Sequence, residues 1–360
     1  MARLRMLFID DKEEDIAYAK KAMEKASFRC AFVTFPHVKD ALEEFQPHMA
    51  IVDRIEGDPP EHKNMGRFVV DEIWHHRFCP IIIYTAFPDD ERDEKEAHPL
   101  VRHATKGANF APFQAAVNVL SPHANAIKTA EDHIHQQFSF AMRDVALYAS
   151  TVCATQVEFD QAVIRHGRRR VAALMDQSTL GPLSSWEQYL HPPVSEDTKL
   201  GDIIRSKDGN PDDPAAFRLV LTPSCDMVAG QGARTDTILV ARCVPNEAAL
   251  KALGMETAKA STVKTHLLTA GYRDGMLPLP ALKGRIPSMM ADLKKLELLP
   301  RGDIGIEKAY ERIASIDSPF RELIAWAYLT VACRPAVPVR DFDAWADEVA
   351  PAKPGGAKAK

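Results

Sequence analysis

The first third of the sequence predicts a doubly wound α/β domain with a five-stranded parallel sheet, and the rest predicts a long helical connector followed by an α+β domain. Three observations carry this expectation. Short β-branched runs alternate with amphipathic segments up to residue 120. The stretch 124–177 then holds no proline and a single glycine, Gly167. From Pro182 onward proline returns among short mixed runs.

Taken in order, the strands are expected at residues 4–9, 29–34, 49–53, 80–85 and 101–105, with helices at 13–25, 37–45, 67–76, 91–98 and 109–120. Five such units form a sheet of the flavodoxin-like type, whose ligands sit at the carboxyl ends of the strands. In the connector Ile134, Phe138, Met142, Val145, Tyr148, Val152, Val163, Ala172 and Met175 recur at three- and four-residue steps, as one buried stripe does. One long helix and a hairpin broken near residues 150–155 both satisfy that pattern, and either offers a homodimer contact through the central helix. Further on, 217–222 and 237–243 read as strands flanking a glycine-rich turn at 229–233, hence a hairpin or small sheet. Helices are expected at 306–316 and 318–332, and a disordered tail at the end. The expected organisation is a first domain at 1–121, a helical linker or hairpin at 122–180, an α+β domain at 181–345 and a tail at 346–360.

Composition narrows the function. The 360 residues are 46% hydrophobic and 26% charged, and no apolar run approaches the roughly 20 residues that cross a bilayer. The opening MARLRMLFIDD turns acidic before a signal-peptide core develops, so the expected address is the cytoplasm. Six cysteines lie scattered without a C-x-x-C, which points to buried reduced thiols rather than a disulfide framework or zinc knuckle. A net charge of −5 argues against nucleic acid held by bulk charge.

The chemistry is expected where strands end. The first strand delivers Asp10 and Asp11, and the third delivers Asp53. First and third strands are neighbours in the doubly wound order, so three carboxylates converge and call for a hard divalent cation, best met by magnesium. The fourth strand ends in Thr85 and the fifth is followed by Lys106, a hydroxyl and an ammonium suited to phosphoryl oxygens.

The set IleAspAsp (9–11), ValAsp (52–53), TyrThrAla (84–86) and ThrLys (105–106) resembles the motifs of bacterial response-regulator receiver domains, in order, over about a third of the chain. The resemblance implies that Asp53 accepts a phosphoryl group from a histidine kinase. It also implies that Asp10, Asp11 and Asp53 hold Mg2+ with the backbone carbonyl of Ile55, that Thr85 is the switch hydroxyl, and that Lys106 contacts the phosphate. Departures from the family are a longer segment at 54–66, His103 where a switch aromatic is usual, and Gly107 in place of a proline. They imply normal phosphorylation with an unusual readout. A second resemblance, carried by domain layout, is to receiver proteins of Detocs-type anti-phage phosphorelays, where such a protein buffers phosphate.

Other candidates have blander readings. His133 and His135 fit a solvated helix face beside Glu131 and Asp132, and ArgHisGlyArgArgArg (165–170) fits an exposed charged face. The turn bearing Ser224, Cys225 and Asp226, with Cys243 and His266 beyond, matches a thiol or metal site without diagnostic spacing; a buried structural cysteine is the plainer expectation. No helix-turn-helix, G-x-S-x-G or Walker loop is present. The leading function is a phosphorelay response regulator with a non-DNA-binding output domain. The alternative is a receiver-gated enzyme built around Cys225.

Overall fold

Five apolar runs become the parallel strands β1 (Arg5–Ile9), β2 (Arg29–Val33), β3 (Met49–Val52), β4 (Ile81–Thr85) and β5 (Val101–Thr105), in the order β2-β1-β3-β4-β5. Every residue of β3 and β4 is buried, as a sheet covered on both faces requires. Alternation then sorts the strand residues between two cores. Phe8, Ile51 and Ile82 pack against Ile16 of α1 (Glu13–Lys25) and Phe113 of α4 (Ala111–Val152). Their neighbours Ile9, Val52 and Ile83 pack against Leu42 of α2 (Val38–Phe45) and Ile73 of α3 (Met65–His76). Helix α1 starts on Glu13, Glu14 and Asp15 and ends on Lys25, charges that suit its dipole.

This computed structural model describes residues 3–53, 65–86, 97–107, 109–175, 181–227, 235–333 and 342–349. The helix expected at 91–98 falls mainly outside these residues, as do the turn at 229–233 and the C-terminal tail. The chain divides into two units, Met1–Thr179 and Leu180–Lys360.

Helix α4 does not stop where the sheet is covered; it runs for 42 residues, through Pro122, before the chain turns at Cys153. Helix α5 (Gln156–Met175) then packs back along it. The break has a local cause. Thr155 Oγ1 accepts from the Glu158 amide at 3.2 Å while Glu158 Oε2 accepts from the Thr155 amide at 3.2 Å, a capping box that starts a new helix. The two helices meet through small residues: Ala141, Ala149 and Val163 are buried, and a Cβ on Gly167 would lie 2.2 Å from Met142 Sδ. The single buried stripe expected from spacing is therefore not formed. Ile134, Phe138, Tyr148 and Val152 are exposed, Tyr148 by 70%, because a two-helix hairpin has one shared face and small side chains occupy it. Arg77, just after α3, anchors the middle of α4 by an ion pair with Glu131 and donates to the Pro47 carbonyl at 3.1 Å.

The second unit holds an antiparallel sheet of β6 (Tyr189–Leu190), β7 (Asp202–Ser206), β8 (Phe217–Val220), β9 (Thr237–Pro245), β10 (Met276–Leu279), β11 (Met289–Pro300) and β12 (Tyr310–Ile316). Its order is β10-β11-β9-β8-β7-β12-β6. The expected β8–β9 pair forms, with Leu219 opposite Ala241, inside a larger sheet than a hairpin. Tyr189 Oη donates to the Pro280 carbonyl at 2.9 Å, so the two ends of the sheet order curl toward one another. Phe217, Leu219, Met289 and Ala291 fill the core with Ile324 and Ala327 of α9 (Phe320–Ala332). Shorter helices are α6 (Ser224–Met227), α7 (Asn246–Ala252), α8 (Ala260–Val263) and, after α9, α10 (Phe342–Val349).

Residues 306–316 were expected to be helical, whereas the structure makes 310–316 strand β12, between β7 and β6. The register against β7 slips between Arg312 and Ala314, so the adjacent Ile313 and Ala314 are both buried. A bulge thus breaks the period of two that marks a strand. The helix expected at 318–332 is α9.

An ion pair between the fully buried Asp202 and the largely buried Arg312 ties β7 to β12. Asp202 accepts from Arg312 Nε at 2.9 Å, Ser315 Oγ at 2.6 Å and the Lys199 amide at 2.8 Å.

Candidate functional site at the carboxyl ends of the parallel strands

Strand register assembles the site. Ile9 of β1 lies opposite Val52 of β3, so the residues that follow, Asp10 and Asp53, leave the sheet side by side. Backbone bonds fix both: the Asp53 amide donates to the Ile9 carbonyl at 2.9 Å and the Asp10 amide to Val33 at 3.2 Å. Thr85 closes β4 opposite Thr105 of β5, and the Lys106 amide donates to the Thr85 carbonyl at 2.7 Å. The ladder thus brings Asp10, Asp11, Asp53, Thr85 and Lys106 to one edge.

One carboxylate oxygen from each of Asp10, Asp11 and Asp53 lies within 4.8 Å of the other two. Lys106 Nζ reaches Asp10 Oδ2 at 2.7 Å and Asp53 Oδ2 at 2.9 Å. Asp10 is fully buried and Thr85 nearly so, Asp53 is half-buried, and Asp11 is exposed. Asp10 Oδ1 also accepts from the Lys12 amide at 3.2 Å.

The charges do not balance: three carboxylates share one ammonium. Burial pushes the Asp53 carboxyl up to about 6 despite its bond to Lys106, with Asp10 and Asp11 adding to the rise. Burial likewise raises Asp10, against the pull of Lys106. Burial opposes the charge on Lys106 as well, yet its bonds to Asp10 and Asp53 outweigh that and hold the ammonium above its ordinary value. A partly dry cluster of hard oxygen donors with surplus negative charge fits Mg2+, which takes a few carboxylates and keeps its remaining positions for water and phosphate.

Ile55 and most of the segment 54–66 lie outside the described residues. His103 is half-buried on β5 opposite Ile83. His133 and His135 are exposed on α4, and Arg165 and Arg168 to Arg170 are exposed on α5, where Arg170 pairs with Asp144 at 3.1 Å. Cys225 is exposed on α6, not buried as expected, with its Sγ 3.9 Å from Asp226 Oδ1; Cys333 is exposed too. Cys243 sits in the β-sheet core, where burial pushes its thiol up to about 12, opposite to what a thiolate ligand needs. Among the described residues, the Asp10, Asp11 and Asp53 group is the one with metal-ligand spacing, and Cys225, Cys243 and His266 do not form a second. What sequence reading missed is the resting place of Lys106 between two carboxylates; its strand-end position was visible, its bridging was not.

No protein-family model matches the chain, and no curated protein matches it. The solved structures that it resembles over its N-terminal third include response-regulator receiver domains. The N-terminal domain of the nisin resistance regulator NsrR is 21% identical, over 32% of this chain and 97% of that one, with a TM-score of 0.27. The receiver domain of a LuxO-type repressor protein from Vibrio parahaemolyticus is 20% identical, over 36% and 98%, with a TM-score of 0.30. The response regulator TrrA, solved in complex with the histidine kinase ThkA, represents a third match at 18% identity over 32% and 97%, with a TM-score of 0.27. Among the described residues no helix is long and apolar enough to cross a membrane.

Proposed function

We propose that the protein is a response regulator of a two-component phosphorelay in which Asp53 accepts a phosphoryl group from the phosphohistidine of a histidine kinase. The observation behind this reading is the meeting of Asp10, Asp11, Asp53 and Lys106 at one sheet edge. An Asp53 carboxylate oxygen attacks phosphorus in line as the phosphorus–nitrogen bond of the donor breaks, and the electron pair leaves on the imidazole nitrogen. Lys106, already within hydrogen-bond reach of Asp53, remains as counter-charge, and the Thr85 hydroxyl at the end of β4 donates to a phosphoryl oxygen. Asp10, Asp11 and Asp53 are the residues that would hold Mg2+, together with the Ile55 carbonyl. When bound, the ion neutralises the carboxylates and the incoming phosphoryl oxygens.

In this reading residues 1–121 are the phosphoacceptor domain, 122–180 the connector, 181–345 the output domain and 346–360 a tail. The protein self-associates through the α4–α5 hairpin, whose exposed Leu147, Tyr148, Val157 and Ile164 support a contact with a second copy.

The test is phosphorylation by acetyl phosphate with magnesium, located by mass spectrometry. One phosphoryl group on Asp53, absent from Asp53→Asn, is the expected result. Label that persists in that variant, or appears on His133, refutes the assignment.

A further inference from the structure

The second unit contains a hollow of about 770 Å3 that the phosphorelay does not use. Its walls come from the 183–188 segment, the start of α7, a π-helical turn at Lys264–Leu268, β10, the start of β11 and the start of α9. That volume lies within the range of small-molecule sites. Leu250, Leu267, Met289, Met290, Phe320 and Leu323 are among its apolar lining residues. Leu183 and Leu268, exposed by 52% and 54%, leave apolar surface at the mouth.

The lining contains no Asp, Glu, Lys, Arg or His, although a quarter of the chain is charged. Elsewhere hollows are rimmed by charge, as in the one lined by Arg5, Arg77 and Glu131. An ionised ligand entering here would lose water and gain no counter-charge, which disfavours it. A neutral one would lose little. The polar groups present are uncharged: Asn246 Nδ2 donates to Ser288 Oγ at 2.8 Å, and Ser185 and Gln188 join the lining. They suit a hydroxyl or an amide.

Two backbone features shape the wall. The π-helical turn is satisfied by Thr269, whose amide and Oγ1 both donate to the Lys264 carbonyl at 2.9 Å, an arrangement frequent beside functional sites. Gly271 has φ +78°, and a Cβ there would lie 2.4 Å from Leu323 Cδ2, so this approach of backbone to α9 requires glycine.

We propose that this hollow binds a neutral, largely apolar small molecule carrying a hydroxyl or amide that meets the Asn246–Ser288 pair. Methionine walls adapt to the shape of such a ligand.

The test titrates the full chain with N-phenylnaphthylamine, a neutral dye that fluoresces in apolar surroundings, and then competes it with decanol or decanoate at about pH 8, where the acid is ionised. Ser288→Trp and Ala270→Trp place bulk at exposed lining positions, and unchanged melting shows that the fold is kept. Saturable one-site binding is expected, weakened about tenfold or more in both variants and displaced by decanol about tenfold better than by decanoate. Non-saturable binding, or equal affinity in the variants and the parent, overturns the site. Decanoate competing as well as decanol overturns the ligand class.

Discussion

At the residue scale the most consequential group is Lys106, because one ammonium answers to the buried Asp10 and the half-buried Asp53. Removing it leaves a carboxylate at zero exposure without its cation. Breaking a buried pair from one side costs about 3 kcal/mol. Lys106→Ala is therefore expected to melt lower than the parent without magnesium and to gain more from added magnesium, since the ion then supplies the missing charge. Equal magnesium shifts in the two proteins, read by differential scanning fluorimetry, would contradict the shared-charge account.

His48 makes a separate point at the same scale. It is 4% exposed, its Nδ1 accepts from the Arg5 amide at 2.9 Å, and burial followed by Arg5, Arg77 and Lys128 lowers its pKa from 6.5 to about 4, with Asp132 opposing weakly. Above 6.5 the ring is neutral folded or unfolded, so it adds no slope. As pH falls from 6.5 toward 4 the unfolded chain takes a proton that the folded one refuses, and stability drops by at most about 3 kcal/mol. His48→Asn keeps an acceptor for Arg5 and should flatten denaturant-measured stability across that window; an unchanged slope excludes His48 as its source.

At the element scale the α4–α5 hairpin departs furthest from what a soluble helix pair leaves exposed. Leu147 is exposed by 75%, with Tyr148 and Val152 exposed on the same helix and Val157 exposed across the turn. Four-helix packing of two hairpins buries such surface, and a stable interface needs roughly 800 Å2 from each partner. The protein is expected to sediment as a dimer, and Leu147→Lys with Tyr148→Lys to sediment as a monomer with its helicity retained. A monomeric parent at micromolar concentration defeats the dimer reading.

The same elements explain what a sequence discloses. The strand-end site was legible because each chemical group sits one step beyond a short apolar run, so finding Leu4 to Ile9 and Met49 to Val52 already places Asp10 and Asp53 together. The hairpin break had a local sign, Thr155 three residues before Glu158, although its exposed face did not, since spacing reports a helical period and not what covers it. Strand β12 was misread because its bulge puts Ile313 and Ala314 on successive buried positions. The neutral hollow was invisible because its lining is gathered from six separate stretches of chain, and neutrality is a property of the gathered set.

At the scale of the whole molecule the two units carry separate cores: α1 to α3 and the start of α4 cover the parallel sheet, whereas α9 covers the antiparallel one. Their stabilities rest on different charges as well, the carboxylate cluster with Lys106 in the first and the buried Asp202–Arg312 pair in the second. Calorimetry is expected to resolve two transitions that respond independently. If the carboxylate cluster holds magnesium as proposed, the ion at 100 times its dissociation constant should stabilise only the first, by about 2.7 kcal/mol, since it would bind that unit folded and not unfolded. Asp11→Ala should weaken that response. Asp202→Ala strands Arg312, a side chain only 10% exposed, and should lower only the second transition, by about 3 kcal/mol or more. A single transition that moves as one with magnesium and also with Asp202→Ala would mean that the units fold as one cooperative block. Phosphorylation at Asp53 would then reach the second unit through shared stability, and a signal confined to the hairpin surface would no longer be needed to explain output.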